Sequence, residues 1–590
     1  MSIDHDDSRE EGLWGELAWF IALGVVSLLG IAFELAGLES VAEVALLVAT
    51  LILSSRFVVE LVSESKFTVD LLMAFVGAVS LYYGFALEGL IVLALYSVAE
   101  VLEERVERLA ERSISSAVKL LPKKALVVRD REAVEVDVES IEPGDVVIVR
   151  VGEAVPADGL SLSGGLVDMS VVTGESIPVR VRPGTPLPSG SVVIEGPVRV
   201  RVSRRPSDSF VQRLVREAVE SMERRPRVTR LLEKYTPHMT VAVLSLFAMA
   251  HLMVGPERAL SIVLAGCPSA FIIGSSFEAS YLIARAARRG ALIRGGEALE
   301  RGKSIKAVVL DKTGTLTRPK IILNGSQRER EILRLAAAVA VNSRHPIARA
   351  IAMAYPDPGL AVEQVREVKG RGIEAVVQGR RVWIGQGSLP ACEKSVKVQV
   401  EGLGAAEFCV QDEVDPASHS LIQYFRRRGF RVIMASGDRR EAVETVARSL
   451  GVDEFYYEMK PQDKAGLVEK IRRESGPTAF VGDGVNDAVA MARSDFSIAV
   501  GDLSLTRAVA DAVAPGGASQ VLLIFSSTEG YWKGLLTAFA TAALIKAVIA
   551  SLGLIGLLPL PLVALLGDDG STIAAVAAGA ILSSKVLETR

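Results

Sequence analysis

The chain has 590 residues, of which 50% are hydrophobic, and its mean hydropathy is +0.35, so it is too long for one compact core and too apolar for an ordinary soluble protein. Its net charge of −4, with 23% charged residues, argues against a nucleic-acid partner and implies that the apolar residues are concentrated in segments. The three cysteines form no Cys-x-x-Cys pair, which argues against a zinc ribbon, a disulfide framework and a metallochaperone-like tail.

Eight apolar segments predict helices that cross a membrane. Each is about long enough to span a hydrocarbon layer of ~30 Å. The segments are 14–36, 41–62, 67–87, 88–104, 237–254, 258–284, 532–556 and 558–584. They follow an acidic tail, residues 1–13, which lacks the positive start of a cleaved signal peptide and is expected to be solvated.

The even number of crossings places both termini and two long polar loops, roughly 105–236 and 285–531, on one side of the membrane. By the positive-inside rule that side is the cytoplasm, because arginines flank both loops. These are Arg105, Arg108, Arg112, Arg285, Arg288, Arg289 and Arg294. We therefore expect a multi-pass protein of the plasma (inner) membrane with cytoplasmic termini.

Two carboxylates, Glu88 and Glu100, interrupt the apolar run over 67–104, so its division into two helices could be placed differently. A carboxylate inside a membrane-spanning segment is energetically costly and suggests function. Glu88 is a candidate for lining an ion pathway. Glu100 is expected at the cytoplasmic end of a helix that continues out of the membrane.

The first polar loop alternates short valine-rich runs with turns, which predicts a small β domain. At its far side lies the tetrapeptide Thr173-Gly174-Glu175-Ser176. Alone this is a weak signal, because glycine turns with polar neighbours are common. Its position upstream of the motifs described next gives it weight.

The sixth segment contains Cys267-Pro268-Ser269. Proline interrupts the helical hydrogen bonds and frees carbonyl groups about one turn earlier. A thiolate beside freed carbonyls is a soft metal site, although plain packing of a buried cysteine is the more common role.

The most informative stretch is Asp311-Lys312-Thr313-Gly314-Thr315-Leu316-Thr317, which follows the apolar run 307–310. A carboxylate at the carboxyl end of a buried strand, followed by a Gly/Thr turn, can attack a phosphate as a nucleophile. Strands and helices then alternate, the pattern of a doubly wound sheet. Further polar groups follow apolar runs along this loop: Ser436-Gly437-Asp438, Lys464, and Gly482-Asp483-Gly484-Val485-Asn486-Asp487.

Two charged residues, Lys546 and Asp568, fall inside the seventh and eighth segments. Each is costly in hydrocarbon, and each becomes less costly as the partner of the other. We therefore predict that they pair, with an ion pair near the membrane surface as the alternative to a functional site.

The seven residues from Asp311 match the phosphorylation signature of the P-type ATPases without a mismatch. The chain resembles this family over nearly its whole length. Cys267-Pro268 in the sixth segment and the two extra N-terminal helices resemble the heavy-metal (P1B) class. Lys546 and Asp568-Asp569-Gly570 resemble its zinc, cadmium and lead exporters, whereas copper exporters have uncharged residues at those places.

The resemblance implies the catalytic roles. Asp311 would attack the γ-phosphate of ATP, and Glu175 would orient the water that hydrolyses the aspartyl-phosphate. Hydroxyls and cations would hold the phosphoryl group, and acidic and amide side chains would hold the site together: Lys312, Thr313, Ser436, Asp438, Lys464, Asn486 and Asp487. Mg²⁺ would be bound by Asp311, Asp483 and the Thr313 carbonyl.

The insertion between Thr317 and about Gln411 resembles the nucleotide-binding domain of the same class. His345 would help to place ATP, and glycines would let the backbone approach it: Gly370, Gly372 and Gly385. This chain departs from the family at Ala340 and Gln386, so nucleotide affinity or base preference is expected to differ. Asp415 also departs, since arginine is usual there.

For the transported ion, the resemblance implies Cys267, Ser269 and Asp568 as the binding site, Lys546 as a built-in counter-charge, and Glu88 on the release path. Ser269 replaces the second cysteine of the usual Cys-Pro-Cys, which makes the site harder and favours Zn²⁺ or Co²⁺ over Cd²⁺ or Pb²⁺. Ser54-Ser55-Arg56 stands where many members have a Gly pair, so the ion's access route is expected to differ.

The expected fold is a multidomain membrane protein with an eight-helix bundle, a cytoplasmic all-β actuator domain and an α/β haloacid-dehalogenase-like phosphorylation domain carrying an α+β nucleotide-binding insertion. The predicted boundaries are 1–13 for the tail, 14–109 for helices MA, MB, M1 and M2, 110–232 for the actuator, 233–290 for M3 and M4, 291–320 and 411–528 for the phosphorylation domain, 321–410 for the nucleotide-binding domain, and 529–590 for M5 and M6.

The main hypothesis is ATP-driven export of a divalent transition metal, Zn²⁺ first, by a monomer embedded in lipid. Two alternatives stay open. One is a Cu⁺ exporter of the same family, for which Lys546 would be dispensable. The other is a membrane-tethered phosphatase or metal sensor that turns over phosphate without moving an ion.

Overall fold

The computed structural model describes residues 4–63, 70–115, 122, 124–129, 132–169, 178–209, 212, 221, 224–322, 326–340, 348, 351–352, 354–355, 360, 362–368, 372–389, 392, 394–482, 487–501 and 510–588. Helices in chain order are α1 Asp4–Leu35, α2 Glu39–Ser63, α3 Asp70–Tyr83, α4 Ala86–Ser115, α5 Arg227–Val254, α6 Pro256–Ala265, α7 Ser269–Arg288, α8 Gly296–Ser304, α9 Gln327–Ala340, α10 Pro416–Arg427, α11 Arg440–Leu450, α12 Pro461–Ser475, α13 Ala488–Arg493, α14 Ala518–Leu554, α15 Leu560–Ala564 and α16 Ser571–Glu588.

Strands in chain order are β1 Lys124–Arg129, β2 Glu132–Asp137, β3 Val146–Val149, β4 Gly159–Ser161, β5 Gly165–Asp168, β6 Val179–Val181, β7 Pro186–Leu187, β8 Val192–Glu195, β9 Val198–Val202, β10 Leu292–Ile293, β11 Ala307–Asp311, β12 Thr317–Ile322, β13 Val362–Val368, β14 Gly372–Val377, β15 Arg380–Gln386, β16 Lys394–Val400, β17 Gly404–Val414, β18 Arg431–Ala435, β19 Glu454–Tyr456, β20 Thr478–Gly482, β21 Phe496–Val500 and β22 Ala512–Ala514.

The apolar segments form a helical bundle. Within the described residues, six helical stretches are long and apolar enough to cross a membrane: Ala18–Leu35, Glu39–Val59, Arg227–Val254, Pro256–Arg288, Ala518–Leu554 and Leu560–Leu587. Two shorter apolar helices, Asp70–Tyr83 and Ala86–Val98, complete the bundle. Membrane-spanning helices are therefore present, and the count of eight crossings stays a prediction.

Two of these helices are broken inside the bundle. The sixth segment ends as α6 at Ala265 and restarts as α7 at Ser269, so Cys267 lies in the break. The eighth is interrupted by a wide π-helical turn, Leu565–Gly570, which contains Asp568. Such breaks leave backbone groups and side chains available inside a bundle, and they often mark functional sites.

The first polar loop forms two antiparallel sheets. Six strands run in the order β2-β1-β3-β9-β4-β7 and three in the order β6-β5-β8. Alternate residues face a common core, as in β9, where Val198, Val200 and Val202 are buried and the arginines between them are exposed. The predicted β domain is present over residues 124–202, and its all-β character beyond that range stays a prediction.

The second loop forms an α/β domain around a seven-stranded sheet in the order β10-β22-β21-β20-β11-β18-β19. All pairs are parallel except β10 with β22. Every residue of β11 is buried, and β11 lies between β20 and β18. The carboxyl ends of these three strands therefore meet at one edge, and each is followed by one of the predicted polar motifs.

The insertion is a six-stranded antiparallel sheet, β12-β17-β16-β15-β14-β13, packed against α9. It extends from Thr317 to Val414, so the predicted boundaries at 320/321 and 410/411 fall inside β12 and β17. Cys392 and Cys409 form a disulfide within it. The sequence analysis expected no disulfide framework and did not anticipate this single bridge.

Helix α14 connects the α/β domain with the bundle. Its first part packs into the core of the α/β domain through Phe525 and Tyr531. Arg428 of that domain pairs with Glu529 at 2.6 Å, and Gln520 donates to the carbonyl of Arg289 at 2.9 Å. Lys546 follows 17 residues after Glu529 on the same unbroken helix, about 26 Å farther along its axis.

Candidate active site and membrane site

Asp311 ends β11 and is 6% exposed. Its Oδ1 accepts a hydrogen bond from Lys464 Nζ at 2.6 Å, and the same ammonium donates to Asp487 Oδ1 at 2.7 Å. Helix α12 presents Lys464 after a first turn closed by Pro461 and the Asp463 cap. The structure thus brings together three residues that are 153 and 23 positions apart in the chain.

Lys312 points to the other side of the strand end. Its Nζ is 2.5 Å from Asp412 Oδ2 and 2.6 Å from Asp438 Oδ2. Thr313 Oγ1 donates to the same Asp438 oxygen at 3.1 Å. Ser436 Oγ accepts from the Asp438 backbone N–H at 3.2 Å, which orders the turn after β18.

Both lysines are fully charged at neutral pH. Burial alone lowers the pKa of Lys464, but Asp311 and Asp487 outweigh it and raise that pKa above the ordinary lysine value. Burial likewise lowers the pKa of Lys312, and its hydrogen bonds to Asp412 and Asp438 reverse the sign. Two cations thus lie at this edge of the sheet, Lys464 paired with Asp311 and Lys312 paired with Asp412 and Asp438, where a phosphoryl group would carry negative charge.

The turn after Asp311 depends on Gly314. Its φ of 78° lies in the left-handed region, which suits glycine. The turn closes through the Gly314 N–H to the Thr317 carbonyl at 3.1 Å and through Thr317 Oγ1 to the Lys312 carbonyl, also 3.1 Å. The Thr313 hydroxyl within this turn reaches Asp438, which follows β18 at the same edge of the sheet.

Several predicted site residues lie outside the described residues: Glu175, His345, Gly370, Asp483 and Asn486. Their roles stay predictions. Of the predicted Mg²⁺ ligands, the described residues include the Asp311 carboxylate and the Thr313 carbonyl, which are hard oxygen donors of the kind that Mg²⁺ prefers, whereas Asp487 pairs with Lys464.

Two predicted nucleotide-binding glycines, Gly372 and Gly385, are neighbours on β14 and β15. Gly372 has a φ of 134°, and a Cβ on it would lie 2.0 Å from the Ile384 carbonyl and 3.0 Å from Gly385 Cα. The strands therefore approach too closely for a side chain. Of the noted departures, Ala340 ends α9 in the core of the insertion, and Gln386 ends β15.

Asp415 stands where arginine is usual in the family, and its carboxylate makes two contacts. Its Oδ1 accepts the Ala417 N–H at 3.0 Å and caps α10, and its Oδ2 pairs with Arg318 at 2.7 Å. The residue is 3% exposed. It therefore fixes the junction between the insertion and the α/β domain.

In the bundle, three polar side chains meet at the two helix breaks. Ser269 Oγ donates to Asp568 Oδ1 at 2.7 Å, and Lys546 Nζ donates to the same oxygen at 3.1 Å. Lys546 also donates to the Gly567 carbonyl at 3.1 Å. The predicted pairing of Lys546 and Asp568 is present, and all three residues are buried or half-buried.

Cys267 completes this group. It is 1% exposed, and its Sγ accepts the Ser269 N–H at 3.5 Å. The described residues hold no cluster of three or more His, Cys, Asp or Glu side chains suited to a metal. A cation here would thus use one thiolate, one carboxylate, the Ser269 hydroxyl and backbone carbonyls.

Glu88 is half-buried near the start of α4 and makes no hydrogen bond or ion pair within the described part of the chain. Two turns farther on, Tyr96 lines a small cavity with Asp568 and Asp569. Its hydroxyl donates to Asp70 at 2.9 Å, and Asp70 lies 3.6 Å from Arg56. Polar groups on α2, α3 and α4 thus extend from the Asp568 cavity.

Asp412, Asp70 and Glu278 were not predicted as site residues from the sequence. Asp412 could have been found as an acidic residue directly before the return into the α/β domain. Asp70 and Glu278 are ionisable residues within the predicted third and sixth segments, the same signal that drew attention to Glu88.

Comparison with known proteins agrees with this architecture. Residues 305–495 match the haloacid dehalogenase-like hydrolase family, and residues 119–219 match the P-type ATPase actuator domain.

The chain is 32% identical over 552 residues to the zinc/cadmium/lead-transporting P-type ATPase of Shigella sonnei, covering 87% of this chain and 74% of that one. It is 32% identical over 425 residues to copper-exporting P-type ATPase B of Archaeoglobus fulgidus, covering 66% of this chain and only 61% of that protein.

A crystal structure of a zinc-transporting PIB-type ATPase in the E2.Pi state superposes with a TM-score of 0.52 at 30% identity, covering 96% of this chain and 99% of that one. With the Asp311 site at the end of β11 and the broken helices of the bundle, these similarities show that the chain belongs to the heavy-metal class of the P-type ATPases.

Proposed function

We propose that this protein exports a divalent transition-metal ion, Zn²⁺ first, at the expense of ATP, with Asp311 as the phosphorylated residue. The observation that carries the proposal is the buried group of Cys267, Ser269, Asp568 and Lys546 at two helix breaks. A single helix, α14, joins this group to the domain that contains Asp311.

In the proposed phosphorylation step, an oxygen of Asp311 attacks the γ-phosphorus of ATP, and the bond to the ADP oxygen breaks. Lys464 holds Asp311 in place and balances its charge. Lys312, Thr313 and Ser436, which all contact Asp438, would bind the phosphoryl oxygens. Glu175 would then orient the water that hydrolyses the aspartyl-phosphate.

Mg²⁺ would be held by Asp311, Asp483 and the Thr313 carbonyl, and it would neutralise charge on the transferred phosphate. The nucleotide would bind the insertion near the close approach of Gly372 and Gly385, with His345 and Gly370 as further contacts. Asp487, paired with Lys464, fixes the cation that faces Asp311.

The membrane site favours a borderline or hard divalent ion. Asp568 supplies a hard carboxylate, Ser269 a hydroxyl and Cys267 a single soft thiolate. Because a second thiolate is missing, the binding affinity for Cd²⁺ and Pb²⁺ falls more than the affinity for Zn²⁺ or Co²⁺. Lys546 pairs with the Asp568 carboxylate in the structure, and it would pair with it again when the ion leaves. Glu88, on α4, would receive the released ion.

A Cu⁺ exporter is the second candidate, because a copper exporter is among the similar proteins. A monovalent soft ion gains little from Asp568, and it would leave Lys546 without a role. The pairing of Lys546 with Asp568 therefore supports the divalent ion.

Metal uptake into sealed, inverted membrane vesicles tests the proposal. We expect ATP-dependent accumulation of Zn²⁺ that is lost in Lys546→Gln. Lys533→Gln is the matched control, since Lys533 lies on the same helix with its side chain 48% exposed. ATP hydrolysis without accumulation would favour the phosphatase or sensor instead, and uptake of Cu⁺ alone would favour the copper exporter.

A further inference from the structure

A second carboxylate is buried in the bundle, away from the metal group. Glu278 follows Ser269 by nine residues on α7, about 13 Å along the helix toward the α/β domain. It is 1% exposed, and its Oε1 has no hydrogen-bond partner in the described structure. A carboxyl group so placed needs an explanation.

The neighbouring helices leave space for this side chain. A Cβ on Gly534 of α14 would lie 2.3 Å from Glu278 Oε1, and one on Gly579 of α16 would lie 3.0 Å from Oε2. Ser583 of α16 supplies the nearest hydroxyl. The helices that carry Ser269 and Lys546, together with the helix that follows Asp568, therefore enclose Glu278 as well.

A buried carboxylate with one oxygen unsatisfied requires a cation. No basic side chain pairs with Glu278 among the described residues. A metal ion would need about four ligands, and the pocket offers one carboxylate and one hydroxyl. A proton is the cation that fits.

Titratable groups lead from Glu278 to the surface of the bundle. Tyr531, one helical turn before Gly534, is fully buried within electrostatic range of both Glu278 and Glu300, and its hydroxyl makes no hydrogen bond within the described residues. Glu300 on α8 accepts the backbone N–H groups of α5 at 3.0 and 2.9 Å. It lines a cavity of about 290 Å³ with Arg227, Arg230, Glu297 and Arg301.

We propose that Glu278 is a proton-binding residue of the transport cycle. When a divalent ion binds beside Asp568, the Glu278 O–H bond breaks, its proton passes to the Tyr531 oxygen, and the Tyr531 hydroxyl proton passes to Glu300 and the cavity water. The net result is one proton released and no redox change. The proton returns when the ion leaves, so the bundle gains less charge than the ion brings. This inference rests on the proposed function.

Calorimetric titration of Zn²⁺ into the purified full chain, in two buffers of different ionisation enthalpy, counts the protons released per bound ion. We expect the wild type to release about one proton more than Glu278→Gln. Glu278→Asp, which keeps the acid, should match the wild type. Tyr531→Phe should leave the count unchanged and slow the release, as followed with a rapid-mixing pH indicator.

Equal proton counts for the wild type and Glu278→Gln, with Zn²⁺ binding intact in both, would overturn this inference alone. A count for Glu278→Asp as low as that for Glu278→Gln would also overturn it. If no Zn²⁺ binds even to the wild type, the proposed function fails and this inference fails with it.

Discussion

Lys464 is the cation between two buried carboxylates, and Lys464→Gln removes it without removing them. Its Nζ lies 2.6 Å from Asp311 and 2.7 Å from Asp487, and their side chains are 8% and 1% exposed. Breaking a buried ion pair from one side costs about 3–5 kcal/mol, because the remaining charge is left uncompensated. For a domain of this size that corresponds to a fall in melting temperature of roughly 6–20 °C.

The assay is thermal unfolding of the full chain in detergent, followed by tryptophan fluorescence at neutral pH. Lys470→Gln is the matched control, because Lys470 lies on the same helix with its side chain 57% exposed, and its loss should cost about 0–1 kcal/mol. The double variant Lys464→Gln/Asp487→Asn should regain part of the loss, since one of the two carboxylates is gone. Mg²⁺ should also stabilise the single variant more than the wild type.

The pH dependence has a definite sign. The pKa of Lys464 is raised in the folded state. Its contribution to the free energy of unfolding is therefore fully present below the ordinary lysine pKa and is lost only as the pH rises through the raised pKa. The deficit of Lys464→Gln should therefore be constant between about pH 6 and 9. A deficit no larger than that of Lys470→Gln, or no recovery in the double variant, would refute the reasoning.

Three further predictions concern Asp311, Ser269 and Asp415. Asp311→Asn should abolish metal-dependent phosphoenzyme, measured with labelled ATP, whereas Asp453→Asn, at a side chain 94% exposed, should leave it unchanged; phosphoenzyme in Asp311→Asn would contradict the assignment. Ser269→Cys should raise Cd²⁺ and Pb²⁺ stimulation of ATP hydrolysis relative to Zn²⁺, because it adds a soft ligand, and an unchanged ratio would count against the site. Asp415→Ala should lower the free energy of unfolding by about 1 kcal/mol because the α10 cap is lost, and Asp415→Asn should keep most of the wild-type stability. Equal melting temperatures for the wild type and Asp415→Ala would exclude the capping role.

The grouping of polar side chains around Asp311 was predictable because their motifs lie at the carboxyl ends of buried strands. Asp311 ends β11 and Ser436 directly follows β18, and the parallel pairing of these strands brings their carboxyl ends together. Lys546 and Asp568 were predictable as partners because isolated charges are costly in hydrocarbon.

Other contacts depend on packing that no local pattern encodes. Asp412 reaches Lys312 across 100 residues through the register of β12 with β17, and Ser269 reaches Asp568 across 299 residues at two helix breaks. Glu278 fills space that Gly534 and Gly579 leave on the neighbouring helices, and nothing in the sequence distinguishes these two glycines from others in apolar helices. The roles of Glu175, His345, Gly370, Asp483 and Asn486 stay predictions.

ATP hydrolysis by the purified protein, measured with Zn²⁺, Co²⁺, Cd²⁺, Pb²⁺ and reduced Cu⁺ in turn, tests the central claim most directly. We predict stimulation by Zn²⁺ or another divalent ion that is lost in Asp568→Ala. Stimulation by Cu⁺ alone, or divalent stimulation that survives Asp568→Ala, would contradict the account.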